Sequence, residues 1–356
     1  MKKEYNDDRQ LDLRERPLMA RIFDFFEEKL DKTNSLTPFN AEITILKDVV
    51  YKTTEDGEEL VMDIYLPSRE IQGKRPVIYD IPGGGWMIHN RKRRSGYARL
   101  YATMGAVVCV IDHRLCPSIL FPNNLQDCID GLNFLTTIAD KYNLDLDDIT
   151  LTGDSSGGHL GACVACCSSN DEYVKRVGVT PLKVKIKRNI FISGAFSFDA
   201  IYRIPMTHTL IVRYVSGRKS RSEFKKWKYY REINPYNYLT TNYPATYNSG
   251  GAYDLFCLFE ARHMSKRLDK LGVDNVYYIS KYLGADHCYI FRFPDWYARG
   301  EMKKLITWYY NKEQQAGKDL SEGYELIMDF LDTKNYKKFR QRLRETIKKF
   351  QKQKQE

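Results

Sequence analysis

No stretch of this chain reaches the roughly 18–20 consecutive apolar residues that a membrane-spanning helix needs. The opening residues, Met1-Lys2-Lys3-Glu4-Tyr5-Asn6-Asp7-Asp8, are basic at first but have no apolar run behind them, so no secretory leader is expected. The eight cysteines fall without regular spacing. Cys163 and Cys166 have no second pair and lie inside a predicted helix, which argues against zinc. Without an export signal the cysteines read as reduced core thiols, and the chain as cytoplasmic. Internal repeats are absent. So is a recognisable nucleic-acid module, although the formal net charge is +10 over 356 residues. The excess lies in Arg91–Arg94, Lys183–Arg188, Arg218–Lys228 and the C-terminal tail, and nucleic acid is not expected as a partner.

What is present alternates. Eight apolar or alternating segments read as strands: Ile43–Tyr51, Leu60–Leu66, Pro76–Pro82, Ala106–Asp112, Asp148–Thr152, Asn189–Ser193, Ala245–Ser249 and Val276–Lys281. The first two are joined by a turn at Asp56-Gly57 and read as antiparallel. Helical patterns separate most of the others, at 93–104, Leu125–Tyr142, Ser156–Cys167, Leu255–Leu271 and Trp296–Tyr310. This rhythm predicts an α/β fold, a mainly parallel sheet covered by helices on both faces. Residues 197–240 break the rhythm with aromatics, prolines and a basic run, and read as an insertion. Residues 1–40 carry Leu18, Ile22, Phe25, Phe26 and Leu30 at helical spacing, which fits a helix packed on the body or a lid. The tail, 312–356, is basic and helical, with Tyr336, Phe339, Leu343, Ile347 and Phe350 on one face; it is expected to dock on the body, though such a face also suits a membrane or a partner.

The chemistry concentrates in Gly153-Asp154-Ser155-Ser156-Gly157. Gly-x-Ser-x-Gly between a strand and a helix is the pattern of a nucleophile elbow, in which a sharp turn projects the serine at the carboxyl end of the sheet. A serine hydroxyl needs a base. His287 follows the last predicted strand, in Gly284-Ala285-Asp286-His287, where a loop reaches back toward the elbow. His89 and His113 lie on loops near the same edge, and His159 lies inside the helix after the elbow. The base needs an acid to hold its tautomer. Asp254 follows a strand and opens a predicted helix, which would also suit a plain N-cap; Asp286 competes with it. Gly83-Gly84-Gly85, after a buried strand, and Ser156, after the nucleophile, can offer backbone N–H groups to an oxyanion.

Taken in order, Gly83-Gly84-Gly85-Trp86, Asp112-His113-Arg114-Leu115-Cys116-Pro117, Gly153-Asp154-Ser155-Ser156-Gly157-Gly158, Asp254 and His287 resemble the hormone-sensitive-lipase-like branch of the α/β-hydrolases. These are carboxylesterases and acetyl esterases, and the resemblance covers roughly residues 40–310. It implies an eight-stranded α/β-hydrolase fold with a core of residues 41–196 and 241–311. A helical cap would be built from 1–40 and 197–240. It makes Ser155 the nucleophile, His287 the base and Asp254 the orienting acid. Gly84, Gly85 and Ser156 become the oxyanion donors, and Trp86 a substrate contact. Pro82 stands where the family has a histidine before the glycines, and Leu255 where it commonly has a proline.

The expected activity is hydrolysis of short-chain, acetyl-type carboxylic esters through an acyl-enzyme, with a small-molecule ester as substrate and with no metal and no cofactor. An aryl amidase or formamidase would use the same three residues. A non-catalytic ligand-binding protein on the same fold is the reading outside enzymology. A homo-oligomer is compatible with the sequence.

Overall fold

The computed structural model describes residues 43–332, except 68, 89–90, 203–207, 258 and 293–294. The expected cap segment 1–40 and the last part of the tail lie outside the described residues.

The sheet has eight strands. They are β1 (Ile43–Thr53), β2 (Glu59–Pro67), β3 (Arg75–Ile81), β4 (Val107–Ile111), β5 (Leu144–Asp154), β6 (Ile186–Ile192), β7 (Ala245–Gly251) and β8 (Asn275–Ser280), in the order β1-β2-β4-β3-β5-β6-β7-β8. β1 and β2 pair antiparallel, and β2 pairs antiparallel with β4. From β4 onward every pairing is parallel. The mainly parallel architecture is therefore as expected, with β5 near the middle.

The inner strands β3 and β4 are buried on both faces because their apolar runs are continuous, whereas the edge strands β1 and β8 stay largely exposed. Alternation divides each run between two layers. Val77, Tyr79, Ile81, Val107, Cys109 and Ile111 join one core, with Leu125 and Leu132 of α2 (Asn123–Tyr142) and Leu160 of α3 (Ser155–Ser169). Ile78, Val108 and Val110 join the other, with Leu100 of α1 (Ser95–Met104) and Leu305 of the long C-terminal helix Trp296–Gln315.

The chain between β6 and β7 forms no strand among its described residues. It carries the short helices α5 (Phe198–Ile201), α6 (His208–Ser216) and α7 (Arg221–Lys225), after α4 (Asp171–Val177). Its Phe198, Phe224 and Trp227 are buried in the first core. After β7 comes α8 (Glu260–Lys270); the helix Trp296–Gln315, α9, is followed by α10 (Ser321–Asp332). α9 runs to Gln315, past residue 312 where the tail was expected to start, and α10 buries Ile327, Phe330 and Leu331 in the second core beside α1. As far as Asp332, the tail is part of the body. All eight cysteines are free thiols, and only Cys288 is not fully buried. No helix among the described residues is long and apolar enough to cross a membrane.

One buried carboxylate sets a pH dependence of stability. Glu301 on α9 is 1% exposed, accepts the Tyr247 hydroxyl at 2.9 Å, and its second oxygen has no partner among the described residues. Burial pushes its carboxyl up to about 8. The folded state therefore holds this proton more tightly than the unfolded state, and stability falls as pH rises from the ordinary Glu value near 4.5 through about 8. Glu301→Gln keeps an acceptor for Tyr247 without the charge. Its Tm is expected to gain on wild type between pH 5 and pH 9; a difference independent of pH in thermal melts would refute this.

Candidate active site

The elbow is fixed by backbone crowding. β5 ends at Asp154 and α3 begins at Ser155, whose φ is +50°. A Cβ on Gly153 would lie 2.6 Å from the Gly157 carbonyl, and one on Gly157 would lie 2.0 Å from the Ile81 oxygen. Neither position can carry a side chain, which is the physical content of the Gly-x-Ser-x-Gly spacing. A serine held in the left-handed region is strained by about 1–3 kcal/mol. Ser155 is half-buried and Ser156 is buried in the first turn of α3, where backbone N–H groups lack partners within the helix.

The loop after β3 runs alongside. Gly84 has φ +138°, and a Cβ there would sit 1.6 Å from the Ile88 oxygen. The Gly84 carbonyl accepts from the N–H groups of Met87 at 3.1 Å and Ile88 at 3.0 Å. Among the described residues, the N–H groups of Gly84 and Gly85 donate no hydrogen bond. Gly83 instead donates to Asp154 Oδ1 at 2.9 Å. Trp86 is 2% exposed; its indole N–H donates to His159 Nδ1 at 3.1 Å, and its ring lies 5.0 Å from that of Phe198. His159 Nε2 donates in turn to the Ile233 carbonyl at 2.6 Å. Burial lowers the pKa of this imidazole to about 4. It stays neutral and links the glycine loop, the helix of Ser155 and the insertion.

His287 and Asp254 meet. His287 Nδ1 is 3.0 Å from each Asp254 oxygen. A carboxylate only accepts, so Nδ1 carries the proton and Nε2 is left with its lone pair. The Asp254 side chain is 1% exposed, that of His287 25%. Asp254 Oδ1 also accepts the N–H groups of Phe256 at 3.0 Å and Cys257 at 2.9 Å. Asp254 does not open a helix as expected: α8 starts six residues later, at Glu260. Asp286, the competing acid, pairs with Arg292 at 3.0 Å. His113 Nδ1 lies 2.9 Å from the carbonyl of Arg114. His89 lies outside the described residues.

The loop of His287 is tied to the elbow one residue away from each partner. The Cys288 thiol donates to Asp154 Oδ2 at 3.5 Å, and the Cys288 N–H to Ser193 Oγ at 3.2 Å. Ala195 N–H, just beyond Ser193, reaches the Ser155 carbonyl at 3.1 Å. No hydrogen bond joins the Ser155 hydroxyl to the His287 ring among the described residues. Such bonds often tighten only when substrate is bound.

Burial opposes charging of His287, but Cys288 and Asp254 outweigh it and hold the imidazole well above 6.5. The Cys288 thiol is itself pushed up to about 12 by burial. It is therefore neutral near pH 7, and Asp254 is the lasting negative partner. Burial also works against the Asp254 carboxylate, and the imidazolium and hydrogen bonds bring its pKa below 3.8. Donor atoms of Asp254, Cys257 and His287 lie within 4.8 Å of one another. That grouping needs no metal to account for it: the carboxylate is taken by the imidazole and two N–H groups, and burial keeps the Cys257 thiol protonated.

Sequence reasoning missed the role of Asp154. Besides Gly83 and Cys288 it meets Arg94 at 3.2 Å, and Arg94 forks onto Asp80 at 2.8 and 2.9 Å. This carboxylate gathers the glycine loop, the elbow and the histidine loop. Its acid character directly before the serine was the available signal. The whole arrangement — a hydroxyl on a strained turn, an imidazole backed by a buried carboxylate, and unspent N–H groups — is chemically suited to acyl transfer.

The chain resembles known ester hydrolases over part of its length. The BD-FAE family model matches residues 62–260. A probable isoprenylcysteine alpha-carbonyl methylesterase of Oryza sativa subsp. japonica is 27% identical over 188 residues, 51% of this chain and 43% of that protein. Neutral cholesterol ester hydrolase 1 of Mus musculus is 36% identical over 184 residues, 49% of this chain and 43% of that protein. The chain thus spans less than half the length of either relative. Among solved structures, esterase B from Lactobacillus rhamnosis superposes with a TM-score of 0.69 at 20% identity, covering 84% of this chain and 96% of its own, and so shares the fold.

Proposed function

The chain belongs to the BD-FAE family, among the hormone-sensitive-lipase-like α/β-hydrolases, and from that premise we propose that it hydrolyses carboxylic esters through a serine acyl-enzyme. The observation that carries this is Ser155 at φ +50° on a turn that admits no side chain at Gly153 or Gly157, beside the loop bearing the His287–Asp254 pair. The curated relatives are named as ester hydrolases, which supports the reaction class.

In this mechanism the Ser155 hydroxyl attacks the ester carbonyl, and His287 Nε2 takes its proton. The imidazolium is steadied by Asp254. The tetrahedral oxyanion draws on the N–H groups of Gly84, Gly85 and Ser156. His287 returns the proton to the departing alcohol. Water, deprotonated by the same nitrogen, then releases the acid from Ser155. Trp86 lends ring surface to the acyl side.

A short acyl group is the substrate preference we assign. It is supported by how the insertion fills space near the elbow: Phe198 packs on Trp86 and His159, and Phe224 and Trp227 pack behind it. Initial rates with p-nitrophenyl acetate, butyrate and octanoate, beside an aryl formamide, test both halves. The expected order is acetate over butyrate over octanoate. Faster octanoate turnover would overturn the chain-length preference, faster formamide turnover would replace the esterase with an amidase, and no turnover of any would remove the enzyme.

Asp154 serves this mechanism by positioning. Asp154→Ala is expected to lower kcat by about 10²–10³, the typical loss for one oxyanion donor. Asp154→Asn keeps an acceptor for Gly83 N–H and should retain more activity. KM should move little in either variant; a rise in KM with kcat intact would contradict the assignment.

A further inference from the structure

The loops after β7 and β8, with the start of α9, expose an unusual amount of apolar surface at one end of the sheet's carboxyl edge. Leu283 is 81% exposed, Leu255 77%, Trp296 61% and Phe259 52%, with Tyr253 and Tyr282 at 46% and 45%. Single exposed apolar residues are ordinary; six on two adjoining loops and the first turn of α9 are not. The loops do adjoin. Tyr253 N–H bonds the Ala285 carbonyl at 3.3 Å, and the rings of Tyr282 and Trp296 meet at 4.5 Å. The patch borders the site: Phe256, on the Asp254 loop, packs against the His287 ring at 5.3 Å.

Charge indicates what the patch meets. The insertion after β6 also follows the carboxyl end of a strand. Between Arg213 and Lys228 it exposes seven Lys and Arg residues, and Glu223 is the only acid in that span. Leucine with tryptophan and tyrosine is the composition of a membrane interface, where amphipathic rings sit at the headgroup level. Each Lys or Arg near an anionic leaflet adds to the attraction.

We infer that this face docks on an anionic lipid surface, with the apolar rim inserted among the headgroups and the basic insertion lying against them. The active-site mouth then faces the lipid, where poorly soluble esters reside. The inference concerns binding and is read without turnover, so it fails or stands separately from the proposed esterase.

The test uses the full chain and vesicles of phosphatidylcholine alone or with one quarter phosphatidylglycerol, in flotation at low and high salt. Wild type is expected to float with the anionic vesicles at least about tenfold more tightly than with neutral ones, and less so at high salt. Leu283→Ser with Trp296→Ser should weaken binding to anionic vesicles by about tenfold or more. Lys225→Glu with Lys226→Glu should remove the preference for anionic lipid. All variants should keep wild-type Tm and wild-type turnover of soluble p-nitrophenyl acetate. Absence of flotation with any vesicle overturns the inference. So does a wild-type dimer in light scattering that Leu283→Ser with Trp296→Ser makes monomeric, since the patch would then belong to a second copy.

Discussion

Replacing Ser155 with alanine is expected to lower kcat toward p-nitrophenyl acetate by about 10⁶, the size of loss seen when a serine nucleophile is removed. The thiols near the site are held protonated by burial: Cys288, beside the elbow, is pushed up to about 12, and Cys257 is raised well above its ordinary value. Labelling by a fluorophosphonate should vanish with the hydroxyl. The loss will not trace to unfolding, because alanine keeps the Cβ and inherits the same turn at φ +50°. Ser155→Gly makes the complementary point. Glycine adopts positive φ without the steric penalty, so its Tm should exceed that of Ser155→Ala. Retention of wild-type turnover in either variant would end the serine mechanism. A Tm for Ser155→Gly below that of Ser155→Ala would end the claim of strain.

Asp254→Asn is expected to cost about 10⁴ in kcat, as it does where a buried aspartate holds the histidine tautomer. It also moves the pH profile. In the wild type, Asp254 counters the burial of His287 and keeps its pKa well above 6.5. A general base must be neutral, so kcat/KM should rise with pH along a limb lying above 6.5. With asparagine the attraction is lost while burial remains, and the limb should move down. Stability follows the same pair. The raised His287 pKa contributes stability that is complete below 6.5 and is lost as pH rises through its folded value; the lowered Asp254 pKa contributes stability that is lost as pH falls through its folded value. Together the two groups stabilise the fold between those limits, and Asp254→Asn should lower Tm most at mildly acidic pH. An unmoved kinetic limb would show that some other group titrates.

The sequence made the sheet legible because its inner apolar runs are rich in β-branched residues, and because both layers claim alternate residues of strands such as β3 and β4. The elbow was legible for a local reason: the backbone contacts that forbid Cβ atoms at 153 and 157 impose a short, fixed spacing. The loop after β7 was misread. Leu255, Phe256 and Phe259 look like the apolar stripe of a helix, yet Asp254 captures the N–H groups of Phe256 and Cys257, and Phe259 sits at φ +69° before α8 begins. The acid before Ser155 was visible, but its partners at the Asp154 hub were not, since Arg94 and Gly83 are some 60–70 residues distant and only the folded sheet brings them to it. Nor was the helix α4, seven residues long and started by Asn170 accepting the Tyr173 N–H.

The imidazole of His159 has a consequence for how substrate can arrive. It is held at one nitrogen by the loop of Trp86 and at the other by the chain at Ile233, so the rear of the insertion is bolted to the same helix that presents Ser155. Any opening that swung the entire insertion as a door would have to break both bonds of a buried ring. Traffic into the site therefore has its easier route past the segments on either side of that bolt, and only acid strong enough to protonate a group with a pKa of about 4 would loosen it.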